Sequence, residues 1–250
     1  MLRLKEISKF FPQNAKPALD NINLHIKAGE YCVILGSNGS GKSTLLKVIS
    51  GEYKEDSGEI FLDNQHITNK AMNQRSKMIA SVSQDINKGT VGDLTLMENL
   101  ALSKMRTREA TFAFYHSSKN KLTQQIKDLG LGLENSINTK MSDLSGGQRQ
   151  AIATLMAVTS ESNLLLLDEH TSALDPRSHN KIMNFTDKNI NQRRLTTLMI
   201  THNIKDALTY GNRLIIMSHG RIINDFTQKE KLSLDENKIL ELLHEAGELI

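Results

Sequence analysis

Cysteine, proline and tryptophan are scarce in this sequence. Its 250 residues include one cysteine, three prolines and no tryptophan. Because Cys32 is the single cysteine, the chain cannot form an internal disulfide or a metal cluster held by cysteines. Cys32 stands in the apolar segment YCVIL, so we interpret it as a small side chain of the core.

Long apolar segments and runs of basic residues are also missing. The longest clean aliphatic run, Leu164 to Leu167, is far too short to cross a bilayer, and the N-terminus MLRLKEISKFF does not have the layout of a signal peptide. The net charge of +3 is spread along the chain. The sequence therefore predicts a cytoplasmic protein without a nucleic-acid partner, and its charge leaves contact with an anionic membrane surface open.

A glycine-rich segment, GSNGSGKST at 36–44, joins an apolar strand to a helix-like segment. It fits the pattern G-x-x-x-x-G-K-[ST], in which backbone N–H groups and a helix N-terminus surround a phosphate. Lys42 supplies a mobile cation for the β- and γ-phosphates, and the Ser43 hydroxyl is placed to bind Mg²⁺. We therefore predict that a nucleoside triphosphate binds to Gly36, Ser37, Asn38, Gly39, Ser40, Gly41, Lys42, Ser43 and Thr44.

Two acidic residues follow the aliphatic run at 164–167. A strand of this kind ends where α/β sheets bind their ligands. Asp168 suits the binding of Mg²⁺, directly or through water, and Glu169 is placed to polarise an attacking water as a general base. In isolation, such a segment is more often a strand that runs into a solvated acidic turn. Its position downstream of the phosphate loop favours the catalytic interpretation.

A second glycine-rich segment, LSGGQ at 144–148, comes just before a long apolar-periodic helix. Ser145 is a predicted N-cap, Gly146 and Gly147 expose backbone N–H groups, and Gln148 opens the helix. Since a helix N-terminus attracts anions, this segment is a second candidate phosphate site. The alternative is a helix cap with a flexible lead that binds nothing.

The order of the predicted elements indicates an α/β protein. Strands dominate before residue 85, the stretch from 85 to about 160 has helical spacing, and strands and helices then alternate. We predict one domain with two parts: an α/β core formed by 1–84 and 161–250, and an inserted helical subdomain at 85–160. The first strands and the segment at 59–62 indicate a small antiparallel sheet beside the core.

These segments occur in a specific order along the chain. The order is GSNGSGKS at 36–43, Gln84 after its strand, LSGGQ at 144–148, LLLLDE at 164–169, SALD at 172–175 and then His202. In this respect nearly the whole chain resembles the nucleotide-binding subunits of ABC transporters. The resemblance implies a P-loop NTPase core with a mostly parallel sheet, a small antiparallel β-subdomain and an inserted α-helical subdomain. It also implies ATP and Mg²⁺ as cofactors.

The resemblance further implies a head-to-tail dimer, in which LSGGQ of one copy closes over the ATP held by the phosphate loop of the other. Asp175 would lie in a loop that crosses the dimer interface. Gln84 would contact Mg²⁺ and the attacking water and sense the membrane partner, and His202 would contact the γ-phosphate. The implied catalytic residues are Glu169, His202, Gln84 and Lys42, and the implied magnesium ligands are Ser43, Gln84 and Asp168.

The adenine-stacking aromatic residue of this family falls after the first strand, where the chain has two candidates. We expect Phe11 rather than Phe10 to stack on the base. For His202, the alternative is an ordinary histidine at a strand end. Family members usually carry proline after the Walker B glutamate, whereas this chain has His170. His170 either tunes the pH response or is a polar residue that replaces the proline.

The segments DEHTSALDP, LGLGLEN and TTLMITHN are similar to a branch of bacterial importer ATPases. Those ATPases work beside substrate-binding proteins of the tryptophan/tyrosine type. The resemblance implies an ATPase on the inner face of the cell membrane that powers uptake of a small solute, such as an amino acid. Its partners would be a second copy, an integral membrane permease and, indirectly, an extracytoplasmic substrate-binding protein. Two other hypotheses remain: an ABC ATPase without a transport role, and a module whose assembly is gated by nucleotide.

Overall fold

The computed structural model describes residues 1–13, 15–85, 88–104 and 112–247, with only the backbone described for 112–119. Its strands are β1 (Leu2–Lys9), β2 (Leu19–Ile26), β3 (Tyr31–Leu35), β4 (Ser57–Leu62), β5 (Gln65–His66), β6 (Ile79–Val82), β7 (Leu164–Asp168), β8 (Thr196–Ile200), β9 (Arg213–Ser218) and β10 (Arg221–Phe226). Its α-helices are α1 (Lys42–Ser50), α2 (Met72–Arg75), α3 (Leu96–Lys104), α4 (Phe112–Asp128), α5 (Gly146–Val158), α6 (Pro176–Arg193), α7 (Ile204–Thr209), α8 (Gln228–Lys231) and α9 (Glu236–Glu245). Two short 3₁₀ turns lie at Leu133–Asn135 and Met141–Asp143.

A six-stranded sheet forms the centre of the molecule, in the order β10-β9-β3-β8-β7-β6. The five strands from β9 to β6 are parallel, and β10 pairs with β9 as an antiparallel hairpin. Every residue of β3, β7 and β8 is buried, as expected for parallel strands that are covered on both faces. The predicted α/β class with a mostly parallel sheet is confirmed.

A second sheet is antiparallel throughout and has the order β2-β1-β4-β5. Buried and exposed residues alternate along much of β2, because one face of this sheet packs on a core and the other faces solvent. That core also contains the apolar side chains of α1 and one face of the central sheet. The predicted small antiparallel subdomain is confirmed. The strand β5 was not predicted, since two residues are too few to show a pattern.

Between β6 and β7 the described chain is helical, with α3, α4, α5 and the two 3₁₀ turns. Apolar side chains of α3, α4 and α5 pack into the second core, which covers the other face of the central sheet. The predicted helical insertion is therefore present as part of the fold. Its exact limits, residues 85 and 160, remain a prediction. Over the described ranges, no helix combines the length and the apolar character needed to cross a lipid bilayer.

A buried arginine anchors the helix that follows the phosphate loop. Arg75 is 2% exposed, and its guanidinium donates hydrogen bonds to the carbonyl oxygens of Val48 and Ile49 at the C-terminus of α1. It also donates to the carbonyl oxygens of Thr68 and Lys70. A cation at this end of a helix complements the helix dipole and satisfies terminal carbonyl groups. The position of α1, and so of the loop before it, is tied to the antiparallel subdomain.

Candidate functional site

Four of the predicted segments converge on one edge of the central sheet. The phosphate loop follows β3, Asp168 ends β7, and Gln84 and His202 follow β6 and β8. Because these strands are parallel, their carboxyl ends meet at the same edge, where α/β proteins bind ligands. A cleft of about 740 Å³ opens there, within the size range of small-molecule sites. Its lining includes Phe11, Lys16, Asn38, Gly39, Gly41, Lys42, Ser43, Thr44, Gln84, Glu169 and His219.

Two glycines of the phosphate loop lie where no side chain fits. A Cβ atom on Gly36 would lie 2.2 Å from the carbonyl oxygen of Met217 in β9. A Cβ atom on Gly41 would lie 2.4 Å from the carbonyl oxygen of Ala18, and Gly41 has a φ of +100°. The loop is therefore packed tightly between the last parallel strand and the segment before β2. This packing directs the loop toward the cleft.

Lys42 lies over the phosphate loop with its ammonium group close to three oxygen atoms. Its Nζ donates hydrogen bonds to the carbonyl oxygens of Gly36 (2.8 Å) and Ser37 (2.7 Å) and lies 3.3 Å from Oγ of Ser40. The residue is 5% exposed and lines the cleft. A cation held in this position is suited to phosphate oxygens.

Ser43, which lines the cleft, and Asp168, which ends β7, bring two candidate oxygen ligands together. Oγ of Ser43 donates a 3.0 Å hydrogen bond to Oδ1 of Asp168. Burial raises the pKa of Asp168, and the hydrogen bond from Ser43 partly opposes this. Mg²⁺ prefers oxygen ligands and is commonly bound through one or two carboxylates together with phosphate oxygens. The adjacent hydroxyl and carboxylate thus fit the proposed magnesium site.

Glu169 is held between two side chains that the sequence places far away from it. Its Oε2 accepts a 3.1 Å hydrogen bond from Nε2 of Gln84, and its Oε1 lies 3.3 Å from Nδ1 of His202. Glu169 also has a φ of +47°, which is unfavourable for a side-chain-bearing residue and is found often at functional sites. The structure therefore brings together three of the predicted catalytic residues. Their catalytic roles stay predictions.

The two candidate aromatic residues differ in their surroundings. Phe11 lines the cleft and makes an edge contact with Tyr53, with ring centroids 5.3 Å apart. Phe10 is 55% exposed and does not appear among the residues that line the cleft. This geometry favours Phe11 as the stacking residue.

The second glycine-rich motif begins α5, as predicted, but does not reach the cleft. Ser145 Oγ accepts a hydrogen bond from the backbone N–H of Gln148 (3.2 Å), and Gln148 Oε1 accepts one from the N–H of Ser145 (3.0 Å). This reciprocal pair is a capping box. Among the described residues, none of those at 144–148 lines the cleft. The motif is a helix N-terminus on a separate part of the surface.

Asp175 is also outside the cleft lining and caps α6. Its Oδ1 accepts hydrogen bonds from the backbone N–H groups of Arg177 (3.0 Å) and Ser178 (3.1 Å). Hydrogen bonds from Ser178 and Arg177 lower the pKa of Asp175. Asp175 is thus the N-cap of α6, with Pro176 at the first helical position.

Several residues that line the cleft carry no motif and were not predicted. Gln13 and Lys16 come from the turn-rich segment before β2, and His219 comes from the turn between β9 and β10. His219 had one usable signal, because it directly follows the carboxyl end of a parallel strand. The backbone N–H of Gly220, next to it, donates to the carbonyl oxygen of Ser40, which joins this turn to the phosphate loop.

His170 lies next to a second cavity, of about 400 Å³, on the other side of Glu169. It is 1% exposed, and its Nε2 atom has no hydrogen-bond partner among the described residues. Burial, followed by the nearby His179, lowers the pKa of His170 to about 3. The imidazole is therefore neutral near pH 7, which favours a polar residue in place of proline over a switch of charge.

A family model and several known proteins match most of this chain. A family model described as "ABC transporter" matches residues 19–172. A tyrosine transport ATP-binding protein from Clostridioides difficile is 42% identical, over 96% of this chain and 98% of its own length. A xylose/arabinose import ATP-binding protein from Sulfolobus acidocaldarius is 33% identical, over 94% of this chain and 91% of its own length.

An ATP-dependent lipid A-core flippase from Ralstonia nicotianae is 32% identical over 94% of this chain, which matches 39% of that protein. Among solved structures, the ATP-binding cassette MJ0796, in a dimeric post-hydrolysis state bound to ADP and Pi, superposes with a TM-score of 0.81. It is 31% identical and covers 91% of this chain and 99% of its own chain.

Proposed function

This chain belongs to the ABC transporter family as an ATP-binding subunit with ATPase activity, and we propose that it powers the import of a small solute through a separate membrane permease. The proposed working unit is a head-to-tail dimer that closes on two Mg·ATP and opens after hydrolysis. It would lie on the inner face of the membrane, against the permease. An extracytoplasmic substrate-binding protein would deliver the cargo to that permease.

The observation that carries the dimer proposal is the separation of two anion-binding elements within one chain. Lys42 and Ser43 line the cleft, whereas Ser145 and the N-terminus of α5 do not. A dimer related by a two-fold axis lets the α5 N-terminus of one copy face the cleft of the other. The backbone N–H groups of Gly146 and Gly147 would then complete the phosphate site in the partner. The dimeric state of the related cassette supports this arrangement.

Within each cleft, different side chains of this chain would bind the phosphates, the metal ion, the attacking water and the adenine. Lys42 would bind the β- and γ-phosphates, and Ser43, Asp168 and Gln84 would hold the metal ion. Mg²⁺ neutralises charge on the transferred phosphoryl group when it is bound. Glu169, held by Gln84 and His202, would orient the attacking water and accept its proton. Phe11 would stack on adenine.

Import of an amino acid is the finer part of the proposal. An amino acid as the cargo is supported by the tyrosine transport protein, at 42% identity, and import as the direction is supported by the xylose/arabinose import protein. The related lipid A-core flippase makes the flipping of a lipid the main competing function. Two further competing functions are those of an ABC ATPase without a transport role and of a module whose assembly is gated by nucleotide. Intact Glu169 and His202 weigh against a module that binds nucleotide without turnover.

The catalytic part is tested with Glu169→Gln in the full chain. We expect ATP turnover to be lost and an ATP-dependent dimer to accumulate, seen by size-exclusion chromatography with light scattering. Glu59→Gln is a matched control, because Glu59 lies on the antiparallel sheet and pairs with Lys5. Unchanged turnover in Glu169→Gln would contradict the role given to this residue.

The transport part is tested by purification from the native membrane. We expect an integral membrane protein to copurify, and the complex in vesicles to move labelled tyrosine toward the side that carries this chain. Consistent absence of a membrane partner would contradict a transport role. Movement in the opposite direction would contradict import and leave the ATPase assignment intact.

A further inference from the structure

Gln150 is a buried amide on the helix that begins with the second glycine-rich motif. It lies in α5, two residues beyond Gln148, and is 1% exposed. The helix packs against β6, the edge strand of the central sheet. Its Oε1 atom is buried and has no hydrogen-bond partner among the described residues. A half-satisfied buried amide destabilises the folded state compared with an apolar side chain of the same shape.

The nitrogen of the Gln150 amide makes a hydrogen bond outside its own helix. Nε2 of Gln150 donates a 3.3 Å hydrogen bond to the carbonyl oxygen of Ser83. Ser83 directly precedes Gln84, whose Nε2 donates to Oε2 of Glu169. Two hydrogen bonds and one peptide unit therefore connect α5 with the proposed general base.

We propose that Gln150 is a positioning residue for ATP hydrolysis: it fixes the segment after β6, and with it Gln84, to the helix whose N-terminus binds the partner's nucleotide. This inference rests on the proposed dimeric ATPase. When the N-terminus of α5 engages nucleotide in the partner, the contact with Ser83 carries the resulting shift of α5 to Gln84 in the chain's own cleft. The amide is retained at a cost in stability because an apolar residue cannot make this contact.

The experiment compares Gln150→Met with Thr154→Val in the full chain. Thr154 lies one turn further along α5 and is fully buried, but its Oγ1 donates only to the carbonyl oxygen of Gln150 within the same helix. Thr154→Val thus removes a buried polar group without touching Ser83. For Gln150→Met we expect a melting temperature equal to or above that of the wild type, a kcat lowered about tenfold and a KM within about twofold. For Thr154→Val we expect an unchanged kcat.

A double-mutant comparison tests whether Gln150 acts through Gln84. In a Gln84→Ala chain, the additional change Gln150→Met should cause no further loss of kcat, because the group that it positions has gone. Hydrogen exchange of the peptide that spans Ser83 should be faster in Gln150→Met and unchanged in Thr154→Val. An unaltered kcat in Gln150→Met would overturn the proposal. So would a loss of kcat by the same factor when Gln150→Met is introduced into the wild-type chain and into the Gln84→Ala chain.

Two further measurements separate the possible failures. Gln150→Glu keeps the shape of the side chain and, once protonated in this buried position, a donor for Ser83, so it should retain more activity than Gln150→Met. If Gln150→Met does not fold, Gln150→Glu is used in its place. A loss of kcat by the same factor in the wild-type chain and in the Gln84→Ala chain would then refute the proposal. If Glu169→Gln forms no ATP-dependent dimer, the proposed function fails. If that dimer forms but the effects of changing Gln150 and Gln84 on kcat are independent, only the positioning role fails.

Discussion

Ser43 donates a 3.0 Å hydrogen bond to Asp168, a residue 125 positions further along the chain. The contact joins the N-terminal turn of α1 to the carboxyl end of β7. Because both oxygen atoms are candidate ligands of one Mg²⁺, their proximity is the feature on which the metal site depends.

Replacing Ser43 by alanine should weaken the use of Mg²⁺ more than the fold. The change removes one candidate oxygen ligand and leaves the Asp168 carboxylate without its hydrogen bond, so we expect ATPase activity to require about tenfold more Mg²⁺. The measurement is a magnesium titration of the ATPase rate at saturating ATP. Ser50→Ala is a matched control, because Ser50 ends the same helix and its Oγ bonds only to the carbonyl oxygen of Lys47. Equal magnesium requirements in both variants would argue against Ser43 as a ligand.

Replacing Gly36 by alanine should disturb the phosphate loop itself. The new Cβ atom would meet the carbonyl oxygen of Met217 at 2.2 Å, and backbone atoms of a buried strand cannot easily give way. We expect a loss of about 1–3 kcal/mol in the free energy of unfolding, together with loss of ATP binding. Urea unfolding and calorimetric ATP titration measure the two effects. Gly92→Ala is the control, since its Cβ would lie 3.8 Å from the nearest side-chain atom. Wild-type ATP affinity in Gly36→Ala would refute the prediction.

His170 should make the folded state sensitive to acid. Its pKa is lowered to about 3 by burial, whereas the unfolded chain has an ordinary histidine pKa of about 6.5. Below pH 6.5 the unfolded state therefore binds the proton and the folded state does not, so stability falls as the pH falls from about 6.5 toward 3. At pH 7.5 His170 is neutral in both states, so the folded state has essentially the full stability that is lost at acidic pH.

The test compares the wild type with His170→Gln by urea unfolding at pH 7.5 and pH 5.5. Between these two values the wild type should lose about 1.4 kcal/mol more than the variant, which lacks the titrating group. Other carboxylates and histidines affect both proteins alike, so the difference isolates His170. Parallel pH dependence in the two proteins would show that folding does not lower the pKa of His170.

The sequence is most informative where function depends on local geometry. The phosphate loop at 36–44 and the pair Asp168 and Glu169 could be predicted, because each is a short pattern attached to a strand. Lys16 could not, since it reaches the cleft from a turn whose position depends on the packing of other strands. His219 had only its place after the end of β9 as a signal, and this signal was not used. The contact between Gln150 and Ser83 joins residues 67 positions apart and depends on how α5 lies on β6. No periodicity in the sequence encodes that placement.

The choice between Phe10 and Phe11 is tested by alanine at each position. Phe11 lines the cleft and packs against Tyr53, so its loss should remove both the stacking surface for adenine and the support of that ring. Aromatic contacts of this kind contribute about 0.5–1.5 kcal/mol, which corresponds to a twofold to about tenfold weaker ATP affinity. Phe10→Ala is the matched control. It removes the same kind of ring from the neighbouring position, where the side chain is exposed. Calorimetric titration with ATP and with inorganic triphosphate separates the base from the phosphates: Phe11→Ala should weaken ATP and leave triphosphate binding unchanged. An equal effect on both ligands would mean that Phe11 supports the loop rather than the adenine.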